Sequence, residues 1–204
     1  MRLLTVEMVQ AQLQIMSTTK SDAQMLGAIR LATRHLESYL KTSFLAGSSI
    51  DYFEIDPADK TRQKRIQTFH LSKAFVNTAT NPVKIAQGGA VPVSIGADYK
   101  LDAGGGNLAL LRGPICGLVT VHYDYGFQFV VDASPKGGND MIPADIENLP
   151  AGLREAALML SMAYYGAAGD CGENEDCYLK NAGRSLLFLD RYNRRTLLGF
   201  TPVC

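Results

Sequence analysis

Three sets of residues in this sequence have types suited to chemistry: the histidines His35, His70 and His122, the run CGENEDC from Cys171 to Cys177, and the basic group Lys60, Arg62, Lys64 and Arg65. A histidine titrates near neutral pH, and with a nucleophile and an orienting carboxylate it makes an acid–base catalyst. These three lie in separate elements without an evident partner, and no Ser-His-Asp order or paired-carboxylate helix accompanies them. No catalytic residue is therefore assigned and no enzyme activity is expected. His35 borders an apolar helical stripe and reads as an edge histidine, while His122 shares its strand face with polar residues and is expected to face solvent.

The spacing of Cys171 and Cys177 matches no common zinc pattern and no histidine stands near them, so CGENEDC reads as a solvated acidic loop. Cys116 follows Pro114 at a strand start and reads as a small apolar residue. Neither a metal site nor a cofactor site is expected. Lys60, Arg62, Lys64 and Arg65 fall between two strands in DPADKTRQKRIQ, where the choice is a DNA or anion contact or a solvated hairpin tip. The tip is favoured, because nucleic-acid grooves interleave aromatic stacking residues with the charges and this loop has none. The glycine clusters Gly88-Gly89 and Gly104-Gly105-Gly106 lack the strand-to-helix setting and the Lys-Ser/Thr or GxGxxG pattern of phosphate-binding loops.

The element best marked in the sequence is the helix Leu149–Gly166, LPAGLREAALMLSMAYYG. Pro150 supplies the fixed φ of a first helical turn, and Leu153, Ala157, Leu160 and Tyr164 recur on one face. Ala156, Met159 and Ala163 add a second apolar stripe, so this helix needs cover on several sides. The small residues Ala156, Ala157 and Ala163 would allow another helix to approach closely. Two helices come earlier in the chain. Thr5 caps the first, with Leu4 placed to staple against Val9, and Ser21 with Gln24 reads as a capping box for the second. Met25, Ile29, Ala32, Leu36 and Leu40 form the buried stripe of that second helix, which is expected to pack on Leu149–Gly166.

From Phe44 the texture changes to short β-rich runs broken by Gly, Pro and Asn. Strands are expected at 50–55, 68–76, 82–86 and 92–95, a hairpin at 99–101 with 107–111, and a long strand at Gly117–Tyr125. The fold class read from this order is α+β, a small helical bundle with an antiparallel β region inserted between the second and third helices. Residues 1–43 and 145–204 are assigned to the helical core with a C-terminal tail, 44–131 to the inserted region and 132–144 to a surface linker. A short helix is expected over Ser185–Arg195, followed by the apolar tail Leu197-Leu198-Gly199-Phe200.

The totals agree with a packed protein that chooses partners by local patches. Of 204 residues 47% are hydrophobic, enough for a real core, and 20 basic residues balance 20 acidic ones, which argues against wrapping nucleic acid or lying on an anionic membrane. No apolar run approaches the ~20 residues of a bilayer span. The opening MRLLTVEMVQAQLQ turns polar too soon for a secretory signal, so the chain is expected to be cytoplasmic when it is made.

Four local patterns, in this order, carry a family resemblance: LTVEMVQAQLQI with SDAQMLGAIRLATRHLESYL, DYKLDAGGGNLALLRG with VTVHYDYGF, IPADIENLPAGLREAALMLSMAYYG, and SLLFLDRYNRR. They are similar to the LT-x-E opening, the Y-x-L hairpin with its V-x-V-x-Y-x-x-G strand, the P-x-x-L-x-x-A helix and the LL-x-x-Y-R segment of the head-to-tail connector adaptor proteins of tailed bacteriophages. The chain resembles that family over nearly its whole length, with a longer β region and with Asn193 interrupting the closing Tyr-Arg. The resemblance implies a structural virion protein of the neck, assembled from the host cytoplasm. It would form a homo-oligomeric ring, a dodecamer, beneath the portal and continue the DNA channel, its partners being the portal and a stopper or tail protein. DNA would only pass through, and no membrane is involved. Leu36, Leu40, Leu153, Ala157, Leu160 and Tyr164 would build the protomer core and part of a subunit interface, and Leu186, Leu189, Arg191, Tyr192, Arg194, Arg195 and Phe200 would meet the portal. The alternatives are another neck protein, a stopper or tail-completion protein, and a nucleic-acid-binding module.

Overall fold

The structure, a computed structural model, describes residues 1–14, 19–55, 67–79, 81–88, 93–94, 99–110 and 117–171. The chain adopts the expected α+β class, with an antiparallel β region inserted between the second and third helices. It divides into two compact units: Met1–Lys41 with the described residues from Gln128 on, and Thr42–Phe127.

In the helical unit α1 spans Val6–Leu13, and Thr5 caps it from an extended backbone, its Oγ1 accepting from Met8 N at 3.3 Å. Leu4 and Val9 are both buried, as a staple across the first turn requires. Gln14 ends the helix in the left-handed region at φ 54°. The second helix, α2, spans Thr19–Leu40, so Ser21 lies inside it rather than capping it, and Lys41 at φ 52° closes it. Its expected stripe, Met25, Ile29, Ala32, Leu36 and Leu40, is buried throughout. The third, α3, spans Ala151–Cys171 and begins just after Pro150, whose carbonyl accepts from Arg154 N at 3.0 Å. It packs on α2 through Leu153, Ala156, Ala157, Leu160 and Tyr164, all buried. Ser161 shares that interior, and its hydroxyl is satisfied by donating to Ala157 O at 2.6 Å, the local bond that lets a serine sit in an apolar helix.

Ten strands lie among the described residues. In the β unit, β1 (Gly47–Ile55) and β4 (Lys84–Gln87) flank β8 (Gly117–Tyr125), β5 (Val93–Ser94) extends the sheet beyond β4, and β3 (Val76–Asn77) shares the β4 side of β8. A separate sheet has the order β2 (Gln67–His70), β7 (Asn107–Leu110), β6 (Tyr99–Asp102). Every pairing between these strands is antiparallel, and an isolated parallel bridge joins Leu45 to Phe127. Strand alternation sends Val119, Val121 and Tyr123 of β8 into a core with Ile55, Phe69, Val83, Ile85, Leu108 and Leu110. Leu118, Thr120 and His122 lie on the opposite face, His122 half-buried.

One expected strand is two. The run 68–76 breaks after His70, and the chain crosses from the smaller sheet to the larger at Phe75, which takes φ 57°. Leu71 N, Phe75 N and Val76 N donate to Gly106 O, Gly104 O and Ala103 O of the β6–β7 turn, so the crossing keeps its hydrogen bonds. That turn needs glycine at 106: φ is +66°, and a Cβ there would lie 2.6 Å from Lys73 O.

The segment after Phe127 forms a two-stranded ribbon of the helical unit, β9 (Phe129–Val131) with β10 (Met141–Pro143). Arg2 N donates to Met141 O at 2.9 Å, which lays the start of the chain along β10. No helix among the described residues is long and apolar enough to cross a membrane.

These placements separate the alanines of α3. Ala157 is closed in against α2, whereas Ala163 is exposed. Ala157→Leu is expected to lower the unfolding free energy by about 1–3 kcal/mol through overpacking, while Ala163→Leu stays within roughly 0.5 kcal/mol of the parent. Urea titration followed by circular dichroism distinguishes the two, and equal midpoints for both variants would contradict the packing.

Candidate functional site

The most concentrated charge among the described residues surrounds Arg2, whose side chain is 0% exposed. The flanking residues Leu3 and Leu4 are buried and draw it inside with them. Its Nη2 donates to Asp132 Oδ2 and, at 3.4 Å, to Gly137 O, and its Nη1 donates to Leu4 O at 3.2 Å. Its Nε lies 3.7 Å from Asp140 Oδ2, an ion-pair distance rather than a hydrogen bond. Arg30 of α2 donates to the same Asp140 oxygen at 2.6 Å. Gln10 extends the polar layer, donating to Asp22 at 2.5 Å and accepting from Lys136 at 2.9 Å.

The electrostatics follow from burial and pairing. Burial pulls the Arg2 guanidinium down from its ordinary value against the opposing pull of Asp132 and Asp140. Burial pushes the Asp132 carboxyl up, but hydrogen bonds from Ser134 and the charge of Arg2 outweigh it and leave it below the usual carboxylate range. Asp140 behaves likewise, with Arg30 the principal opposing partner. The cluster ties the 132–140 turn to the start of the chain and to α2. It is a structural lock.

The other polar groups are similarly engaged. Tyr123 Oη donates to Asp51 at 2.9 Å and accepts from Lys73 N at 3.0 Å, while Ser72 N and Oγ donate to the two Asp51 oxygens at 2.5 and 2.7 Å. His70 Nδ1 is 2.6 Å from Asn107 Oδ1, and Asn107 Nδ2 donates to Asp102 at 3.0 Å. His35 Nδ1 and Tyr164 Oη share a hydrogen bond between α2 and α3. Burial lowers the His35 pKa and raises that of Tyr164, so both are neutral at pH 7. The structure does not bring the three histidines together, and among the described residues no group of three or more His, Cys, Asp or Glu is placed to hold a metal ion.

Leu36, Leu40, Leu153, Ala157, Leu160 and Tyr164 are all buried. Lys60, Arg62, Lys64 and Arg65 lie outside the described residues, as do Leu186, Leu189, Arg191, Tyr192, Arg194, Arg195 and Phe200, the helix expected over Ser185–Arg195, and Cys116, Cys177 and Cys204. Sequence reasoning passed over the Arg2 lock and the Asp51–Ser72–Tyr123 group. An arginine inside the apolar opening MRLL was the available signal for the first; the second depends on tertiary crossing at 71–75 and had none.

Among the described residues several large apolar side chains are exposed. Tyr52 is 67% exposed on the outer face of the larger sheet, near Ile50 and Leu118, and Val131 is 60% exposed on the β9–β10 ribbon beside Met141. Leu31 of α2 and Met159 of α3 are exposed on the helices. Exposed apolar side chains on several elements suit contact with other protein surfaces.

No known family model matches the chain, and none of the curated proteins matches it. Among solved structures, a chain of the "Neck of empty GTA particle computed with C6 symmetry" is similar, with 18% identity, a TM-score of 0.40, and coverage of 80% of this chain and 78% of that one.

Two measurements test the electrostatics. Arg2→Met strands Asp132 beside Asp140 in the interior, and the unfolding free energy is expected to fall by about 3–5 kcal/mol, with much of the loss recovered when Asp132→Leu is added. A single variant that unfolds at the parent's urea midpoint would contradict the lock. His35 has a folded-state pKa below its ordinary 6.5, so the unfolded chain binds more protons on acidification. Its contribution to stability is complete above that value and is lost as the pH falls through it. The melting temperature should therefore drop as the pH falls below the ordinary histidine value of 6.5, and less steeply in His35→Gln; parallel profiles for the two proteins would count against a half-buried neutral imidazole.

Proposed function

We propose that this chain is a structural protein of a tailed-bacteriophage neck, the head-to-tail adaptor that forms a ring beneath the portal, joins capsid to tail and continues the DNA channel. The observation that carries the reading is the order of the four sequence patterns along nearly the whole chain. The fold gives each described pattern a structural role. Leu153 and Ala156 of P-x-x-L-x-x-A are buried helix positions, and Val119, Val121 and Tyr123 of the long strand face the β core. Apolar exposure on α2, α3, the larger sheet and the ribbon supports a protein that meets several partners, as a subunit between two neighbours and two adjoining rings must.

In this reading the chain is not an enzyme and binds no cofactor. Its partners are further copies of itself, a dodecamer in the virion, with the portal on one side and a stopper or tail protein on the other. Leu186, Leu189, Arg191, Tyr192, Arg194, Arg195 and Phe200 engage the portal, arginines supplying directional donors and the apolar groups area. Lys60, Arg62, Lys64 and Arg65 are the residues available to an anion such as passing DNA.

Portal rings mixed with the full chain or with a chain ending at residue 185 test the assignment by electron microscopy and sedimentation. The full chain is expected to decorate the portal and the shortened one to lose at least about ten-fold in affinity, roughly 1.4 kcal/mol. Undiminished binding by the shortened chain would remove the tail from the portal contact.

A further inference from the structure

The outer side of β1 is open. Gly88 N donates to Leu118 O at 2.8 Å and Gly126 N donates to Phe75 O at 2.9 Å, so the even-numbered residues along β8 turn their backbone groups toward β4 and β3. The odd-numbered ones therefore bond β1, where the register sets them opposite Gly47, Ser49, Asp51, Phe53 and Ile55. The N–H and C=O groups of Ser48, Ile50, Tyr52 and Glu54 point the other way, and no described backbone group bonds to them there. Their side chains are exposed on the outer sheet face, Ile50 at 46% and Tyr52 at 67%. Nine residues make a long edge, since strands usually run to about 5–6, and no bulge, proline or lysine guards it. Such an edge is a template for another strand.

We propose that the strand it receives is β1 of a second copy, paired antiparallel about a two-fold axis at Ile50. The sequence of the strand selects this occupant: Gly47, Ser48 and Ser49 are small, Asp51, Tyr52 and Phe53 are large, and Ile50 stands between them. Pairing about Ile50 sets Gly47 opposite Phe53, Ser48 opposite Tyr52 and Ser49 opposite Asp51 of the other copy, so every large side chain faces a small one. The two Ile50 side chains meet on the outer face, and the outward backbone groups of Ser48, Ile50 and Tyr52 exchange about six hydrogen bonds with their counterparts. Charge fixes the register. A two-fold axis at Asp51 would set two carboxylates directly opposite each other, and one at Tyr52 would set Glu54 against Ile50, whereas at Ile50 Asp51 faces serine and Glu54 faces Ala46. Asp51 meanwhile keeps its own donors, Ser72 and Tyr123. Copies within one cyclic ring share an orientation, so a two-fold pair belongs to the chain before it joins a ring. The inference goes beyond the neck reading and does not rest on it.

Sedimentation equilibrium of the full chain over a range of concentrations tests the pairing, with mass photometry as the check at low concentration. The parent is expected to form dimers. Ile50→Lys and Ile50→Glu each place two like charges across the axis, and each is expected to weaken dimerisation by roughly ten-fold or more. Because Ile50 is on the exposed face, the circular dichroism spectrum and melting temperature should stay those of the parent. An equimolar mixture of the two variants sets opposite charges across the axis, and dimers are expected to return to within roughly three-fold of the parent affinity. Recovery in the mixture separates this contact from damage to the fold. A mixture that does not recover would overturn the register, and so the proposal. Parent oligomers that neither variant weakens, or a parent chain that stays monomeric throughout, overturn it as well. Neither result bears on the neck reading, which the portal experiment decides.

Discussion

An inserted unit can exist only if the chain leaves it where it arrived, and in this protein that closure is made by Phe44 and Phe127. Phe127 N donates to Phe44 O at 2.8 Å, Ala46 N donates to Phe127 O at 3.0 Å, and Gly126 N donates to Phe75 O at 2.9 Å. The rings of Phe44, Phe75 and Phe127 pack with centroids 5.1–6.5 Å apart, so the clasp is apolar as well as hydrogen-bonded. Gly126 makes it possible: its φ is +79°, and any Cβ would lie 2.6 Å from Leu45 O. With both ends held, the stretch between them folds as a self-contained β unit, and its length can vary at little entropic cost. This is why a β region longer than a minimal one is compatible with three helices drawn from both ends of the chain.

The helices and the long strand were legible in the sequence because they depend on periodicity alone. Leu153, Ala157, Leu160 and Tyr164 repeat at the helical period, and Val119, Val121 and Tyr123 at the strand period, and each set is buried as its spacing requires. The V-x-V-x-Y-x-x-G pattern also ends on the glycine of the clasp, so its residues record two physical demands, a buried strand face and a left-handed turn. What the sequence hid depends on contacts distant along the chain. Phe75 breaks a run of good strand formers because its ring is wanted between Phe44 and Phe127, which no local pattern announces. The ribbon β9–β10 was obscured in the same way, its short strands separated by a polar turn that reads as linker until Asp132 and Asp140 are seen to face Arg2 and Arg30.

That lock also explains how a polar segment becomes part of a packed unit. Asp132 and Asp140 bracket the turn, and each meets a cation supplied by the helical part of the chain. Burying Arg2 completely costs desolvation energy that a pair of aliphatic side chains would avoid, so the return is in specificity rather than stability. Arg2 and Arg30 between them hold both carboxylates and the Gly137 carbonyl of the turn. The charged residues of this cluster thus fix the 132–140 turn.

The same allocation bears on function. Asp51, Tyr123, His70, Asp102 and His35 each close a bond that positions a strand, a turn or a helix. Among the described residues the large apolar side chains left exposed are Leu31, Leu45, Ile50, Tyr52, Leu118, Val130, Val131, Met141 and Met159. Most belong to three kinds of element: helix, sheet face and ribbon. Exposed apolar side chains on several separate elements suit contact with other protein surfaces.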